Sequence, residues 1–169
     1  MTQRIDKGLI AEENAKLEAN LQEDYQALGN KLAREGLNIE EITSKAQDFQ
    51  IAVPSWGTGT GGTRFARFPG EGEPRNIWEK LEDSAVINDL SQCTQRVSPH
   101  FPWDKVDDFS ELKQKSDDLG LKWDSINSNT FQDQSNQTHS YKFGSLCNVN
   151  DLSRTQAIEH NIEVIEYGK

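Results

Sequence analysis

From residue 49 onward, short apolar runs alternate with stretches of helical period. "FQIAV" (49–53) precedes "PRNIWEKLEDSAVINDL", "RVSPHF" (96–101) precedes "DFSELKQKSDDLG", and "LKWDSIN" (121–127) precedes, after a polar stretch, a helix that Asp151 can cap. A strand that returns to its neighbour through a helix must run parallel to it, by a right-handed crossover. The order therefore predicts an α/β fold. Parallel sheets need both faces covered, so three such units make either a small open sheet or part of a larger closed barrel. On the last helix, Ile158, Ile162 and Ile165 form the expected apolar stripe.

The first third is different. Leu17, Leu21, Tyr25, Leu28 and Leu32 mark one face of a long helix that Gly36 ends, and Asn38 caps a short second helix with Ile39, Ile42 and Ala46 on its apolar side. The expected division is a helical extension over 1–48 and the α/β part over 49–169.

Composition narrows the function. At 169 residues with 34% hydrophobic side chains, the chain can build one hydrophobic centre. Its 28 acidic against 18 basic residues give a net charge of −10, without a basic stripe, which disfavours nucleic acid as a partner. The N-terminal "MTQRIDKGLIAEEN" has no apolar signal region and no run is long enough for a membrane span, so the expected setting is cytoplasmic. Cys93 and Cys147 lie outside any Cys/His cluster and read as reduced thiols.

Gly57, Gly59 and Gly62 stand in G-x-G-x-x-G order just after the first apolar run. A dinucleotide loop would open a helix at once and have an acidic residue about 20 positions on, at a strand end. Here "TRFARFPGEGEP" intervenes, and Glu79, Glu82 and Asp83 fall inside a helix; a Walker lysine is absent too. The aromatics and arginines of this segment, Trp56, Arg64, Phe65, Arg67 and Phe68, suit either an arm that carries Phe65 over a pocket or into a neighbouring subunit, or a loop packed on its own domain.

Ligands of parallel α/β sheets bind at the carboxyl ends of the strands. Those ends hold Trp56, "HFPWDK" and "NSNTF". His100 with Asp104 nearby is either a catalytic imidazole held in one tautomer or a structural hydrogen-bonder. Trp56, Trp103 and Phe131 with Asn127 and Asn129 combine flat apolar faces with amides, which suits a sugar as well as an ordinary core. His139 lies in the polar loop and His160 on the helix side away from the isoleucines, so neither takes a role. No metal-binding motif follows any of the three strands.

Taken together, "VPSWGTGTGGTRFARFPG", "PHFPWDK", "NSNTF" and "HSYKFGSL" resemble the beginning of the bacterial L-rhamnose isomerases, within the xylose-isomerase-like barrels. The resemblance runs through essentially the whole chain. It implies a (β/α)8 TIM barrel of which these are the first three βα units, preceded by helices and truncated before a fourth strand. It implies conversion of L-rhamnose to L-rhamnulose and related aldose–ketose pairs by a metal-dependent hydride shift, and a cytoplasmic homotetramer. His100 would contact the sugar and assist ring opening, with Trp56, Trp103, Asp104, Asn127 and Phe131 around the sugar. Phe65 would enter the neighbouring subunit's site on the arm 57–70. Two divalent metals, commonly Mn2+, would be held by residues after later strands, none of them in this chain, which alone is expected to be inactive. The competing reading is a non-catalytic carbohydrate-binding or interaction module using the same rim.

Overall fold

The computed structural model describes residues 6–59, 70–134 and 137–169. Helix α1 (Lys7–Arg34) ends where expected: the Gly36 N–H donates to the Ala33 carbonyl and the Leu37 N–H to that of Leu32, with Gly36 at φ +72°. This is the left-handed closure that glycine makes without strain. Asn38 caps α2 (Ile39–Gln47), its side-chain oxygen accepting from the Glu40 and Glu41 N–H groups at 2.7 and 3.2 Å. The leucine stripe fares differently. Only Ile10 of α1 is buried, Tyr25 and Leu32 are half-covered, and Leu17, Leu21 and Leu28 remain exposed. Tyr25 meets α2 through a hydroxyl contact with Thr43 at 3.1 Å.

The strands are shorter than their apolar runs. β1 (Ala52–Pro54), β2 (Arg96–Ser98) and β4 (Lys122–Trp123) form a parallel sheet in the order β1-β2-β4, and β3 (His100–Phe101) pairs in parallel with β5 (Asn127–Ser128). Phe49, read as the start of the first strand, lies outside it and is exposed. The second and third runs are each split in two. Arg96 pairs with Lys122, but His100 pairs with Asn127, so the third run holds one residue more than the second between the two pairings. The ladder shows the same step: the Gln95, Val97, Pro99 and Phe101 carbonyls accept from the Lys122, Asp124, Asn127 and Asn129 N–H groups at 2.8–3.0 Å. Such a bulge re-aims the side chains beyond it.

A four-residue helical turn, α3 (Ser55–Thr58), follows β1 directly. α4 (Ile77–Ser91) lays Ile77, Leu81 and Ala85 against Val97 of the central strand, with Leu112 of α5 (Phe109–Asp118) and Leu121 completing the core. Asp108 caps α5 on the Ser110 and Glu111 N–H groups, and Gly120 at φ +69° closes it.

The final helix, α6 (Asp151–Tyr167), corrects two expectations. Its cap is Asn150, not Asp151, with the Leu152 N–H donating to the Asn150 side chain at 2.9 Å. Its buried residues are Ser153, Ala157 and Val164, whereas Ile158, Ile162 and Ile165 face outward. The helix meets β5 through the Ser128 hydroxyl, which donates to the Asn161 side-chain oxygen at 2.6 Å. The observed architecture is thus mixed helix and parallel sheet, an α/β arrangement with the strand ends of β1, β3 and β5 gathered on one side.

Candidate functional site

His100 opens β3, which runs into a turn whose Phe101–Pro102 peptide is cis, and the Asp104 N–H closes it by donating to the His100 carbonyl at 3.0 Å. The His100 ring stands edge-on to Trp103, centroids 4.6 Å apart, and 5.8 Å from the tilted ring of Phe131. Parallel pairing puts Asn127 beside it across the sheet. His100 is 9% exposed, and its Nε2 is buried with no hydrogen-bond partner among the described residues. Native structures rarely leave a buried polar atom in that state without a reason.

Burial pushes the His100 imidazole below its ordinary pKa, and Lys80 and His160 act in the same direction, while the Asp104 carboxylate partly opposes them. The ring is therefore held neutral near pH 7, a form with one nitrogen able to donate and the other able to accept.

Asp104 lies beneath the turn and is fully buried. Its Oδ1 accepts from Lys80 Nζ at 2.7 Å; its Oδ2 accepts from the His100 N–H at 2.7 Å and from the Ser55 hydroxyl. Ser55 and Lys80 are buried as well. Sequence reasoning missed both. The signal was there for Lys80: with Ile77, Leu81, Ser84 and Ala85 it occupies the buried stripe of α4 at helical spacing, an unusual place for an unpaired lysine.

His160 also has a partner it was not expected to have. Seven residues after Ser153 and four before Val164, it is on the buried side of α6, and its Nε2 accepts from the Asn129 N–H at 3.1 Å. Burial lowers its pKa, against the pull of Glu163. The Asn129 side chain turns back on its own loop, donating to the Gln132 carbonyl at 2.7 Å and accepting from its N–H at 3.2 Å.

The residues expected around a sugar thus fall in three groups. The His100 ring meets both Trp103 and Phe131, and Asn127 pairs with His100 across the sheet; Phe131 and Asn127 are open to solvent. Asp104 is beneath them, closed to solvent. Trp56 is half-exposed on α3, next to Ser55 at the end of β1. Phe65 and most of the arm lie outside the described residues.

The long polar connection before α6 is built by side chains. Asp133 accepts from the Ser140 hydroxyl, the Tyr141 N–H and the Gln137 amide, and Gln156 of α6 bonds both the N–H and the carbonyl of His139. Among the described residues no group of three or more His, Cys, Asp or Glu side chains converges as a metal site. The Asp104 carboxylate, already bonded to three donors, does not fit that task. No described helix is long and apolar enough to cross a membrane.

No family model matches the chain. It is 54% identical over all 169 residues to a probable sugar isomerase of Rhizobium meliloti (strain 1021), of which it covers 39%. It is 52% identical over 165 residues to a probable sugar isomerase of Mesorhizobium japonicum (strain LMG 29417 / CECT 9101 / MAFF 303099), of which it covers 38%. The chain therefore spans about two fifths of the length of the curated relatives it matches.

Proposed function

We propose that this chain supplies the sugar-contacting rim of an aldose–ketose isomerase, with L-rhamnose and related aldoses as substrates. The observation that carries the reading is the buried, unpartnered Nε2 of His100 between Trp103 and Phe131, at the carboxyl ends of parallel strands. Similarity to two proteins named probable sugar isomerases supports it.

An isomerase that takes a pyranose must open the ring before it can move hydrogen between C1 and C2. Opening breaks the C1–O5 bond, delivers a proton to O5 and removes one from the O1 hydroxyl. A neutral imidazole with its proton on Nε2 donates to O5 as the bond breaks and recovers a proton from O1, so its own state is unchanged. The rings of Trp103 and Phe131 offer flat faces for the sugar C–H groups, and the Asn127 amide offers a partner for a hydroxyl.

In this reading the βα units described above are the first three of a (β/α)8 barrel, Trp56 and Phe65 complete the aromatic walls, and the assembly is a cytoplasmic homotetramer joined in part through residues 57–70. The described residues provide no metal donor set, so Mn2+ or another divalent ion, supplying polarisation of O1 and O2, would be held by residues outside this chain.

The test is isomerisation of L-rhamnose by the protein as encoded by its own gene, loaded with Mn2+ and followed by ketose formation. His100→Ala should lower turnover by ~10²-fold or more while leaving bound metal unchanged. Sugar binding by calorimetry without any turnover in the unaltered protein would instead favour a carbohydrate-binding module.

A further inference from the structure

The geometry assigns Asp104 a positioning role: tied to Lys80, it locks the His100 turn and the root of the glycine-rich segment into one unit, and it does not touch the sugar. Three stretches distant in sequence meet on its carboxylate. The end of β1 sends the Ser55 hydroxyl to Oδ2, α4 sends Lys80 Nζ to Oδ1 at 2.7 Å, and the turn itself sends the His100 N–H to Oδ2 at 2.7 Å. The side chains of Lys80 and Asp104 are 3% and 0% exposed, and these three donors already occupy both carboxylate oxygens, whereas the Nε2 of His100 has no partner among the described residues.

Gly59 adds a fourth link. A Cβ there would lie 2.9 Å from the Pro74 carbonyl oxygen and 3.0 and 3.2 Å from Cε and Cγ of Lys80. Its φ of −150° suits any residue, so close packing on the Lys80 stem is what requires glycine. The segment that leaves β1 is seated on the same lysine that neutralises Asp104.

A buried ion pair is a poor source of net stability, because apolar side chains of similar volume often do as well; fixing one arrangement among several is its better-attested use. Here the arrangement fixed is the height and direction of the His100 backbone. If Asp104 let go, the His100 N–H would lose its acceptor and the ring its place between Trp103 and Phe131.

The meaning given to His100 rests on the sugar reading above; the coupling of the two segments does not. The test uses the protein as encoded by its own gene and two double variants that leave no lone buried charge. Lys80→Met with Asp104→Asn keeps an oxygen to accept the His100 N–H, and Lys80→Met with Asp104→Leu removes it. Amide hydrogen exchange over 55–59 and 98–104 is measured without ligand, and L-rhamnose affinity is read without metal from tryptophan fluorescence. The Leu variant should raise exchange in both segments and weaken affinity, each by about tenfold or more, as expected for an unsatisfied buried donor. The Asn variant should stay within about threefold of the unaltered protein in both.

Equal affinity in the two doubles would reduce Asp104 to a filler and overturn the assignment. So would exchange that rises in one segment alone. Tenfold weaker affinity in the Asn variant with exchange unchanged would mean that the carboxylate itself reads the sugar. Should neither double fold, Ser55→Ala decides: exchange over 98–104 must rise, and an unchanged rate refutes the link. If the unaltered protein binds no sugar, the sugar reading fails and the exchange pattern alone judges the positioning role.

Discussion

Alanine at Gly59 and alanine at Gly57, two residues apart, should change the melting temperature in different directions, because their added methyl groups meet different surroundings. At Gly59 an added methyl meets the Pro74 carbonyl oxygen at 2.9 Å, a backbone atom that cannot swing aside, together with the stem of Lys80 at 3.0 Å. Lys80 in turn is tied to Asp104, so the clash has no soft side. Inserting a methyl group into such a site costs roughly 1–3 kcal/mol, against which the lower entropy of the unfolded alanine chain returns about 0.4–1 kcal/mol. Gly57 is inside α3, where a Cβ meets the Pro54 ring at 3.4 and 3.9 Å, ordinary contact distances, and alanine is the better helix former by about 1 kcal/mol. Gly59→Ala should therefore melt below the unaltered protein and Gly57→Ala level with it or above. At ~2–4 °C per kcal/mol, the two variants should differ by several degrees. Thermal unfolding followed by circular dichroism reads the difference. If Gly59→Ala melts at or above Gly57→Ala, the close packing on Lys80 is not real.

Leu81→Ala, at a site with no exposed surface in the core cluster, should cost about 2–5 kcal/mol, measurable as a shift in the urea midpoint. Burial holds His100 and His160 below their ordinary pKa. The stability gained by keeping them neutral is whole above the unfolded pKa of about 6.5 and falls as pH drops from there through their folded values, by at most ~1.4 kcal/mol per pH unit for each. A melting temperature that does not fall between about pH 7 and pH 5 would contradict this. The 169-residue chain expressed by itself should self-associate and bind apolar dyes, because Ile158, Ile162 and Ile165 form an open apolar face; changing all three to Gln should reduce the association seen by sedimentation.

Periodicity and punctuation made much of the fold readable. The alternation of apolar runs and helical segments predicted parallel strands, and Gly36, Asn38 and Gly120 ended or opened helices as their chemistry requires. The face of α6 was not readable, since an apolar stripe shows that a face is hydrophobic but not which neighbour it meets. The buried side of α6 carries Ser153, Ala157 and Val164, and its Asn161 meets Ser128 of β5, while the isoleucines are left outside. The rim around His100 could be located because strand ends are where parallel sheets bind ligands. Lys80 and Ser55 were hidden for another reason: each acts through Asp104, and a three-body contact between residues 24 and 49 positions apart from it leaves no local pattern.

In the proposed enzyme, His100 presents a neutral imidazole to the ring oxygen of a sugar. The direct measurement is the rate at which the metal-loaded protein, as encoded by its own gene, opens and isomerises L-rhamnose, compared with its His100→Gln variant, alongside metal content in both. The unaltered protein should form ketose, and the variant should lose ~10²-fold or more of that rate at equal metal content. Ketose formation at the same rate in both proteins, or metal lost from the variant, would contradict it.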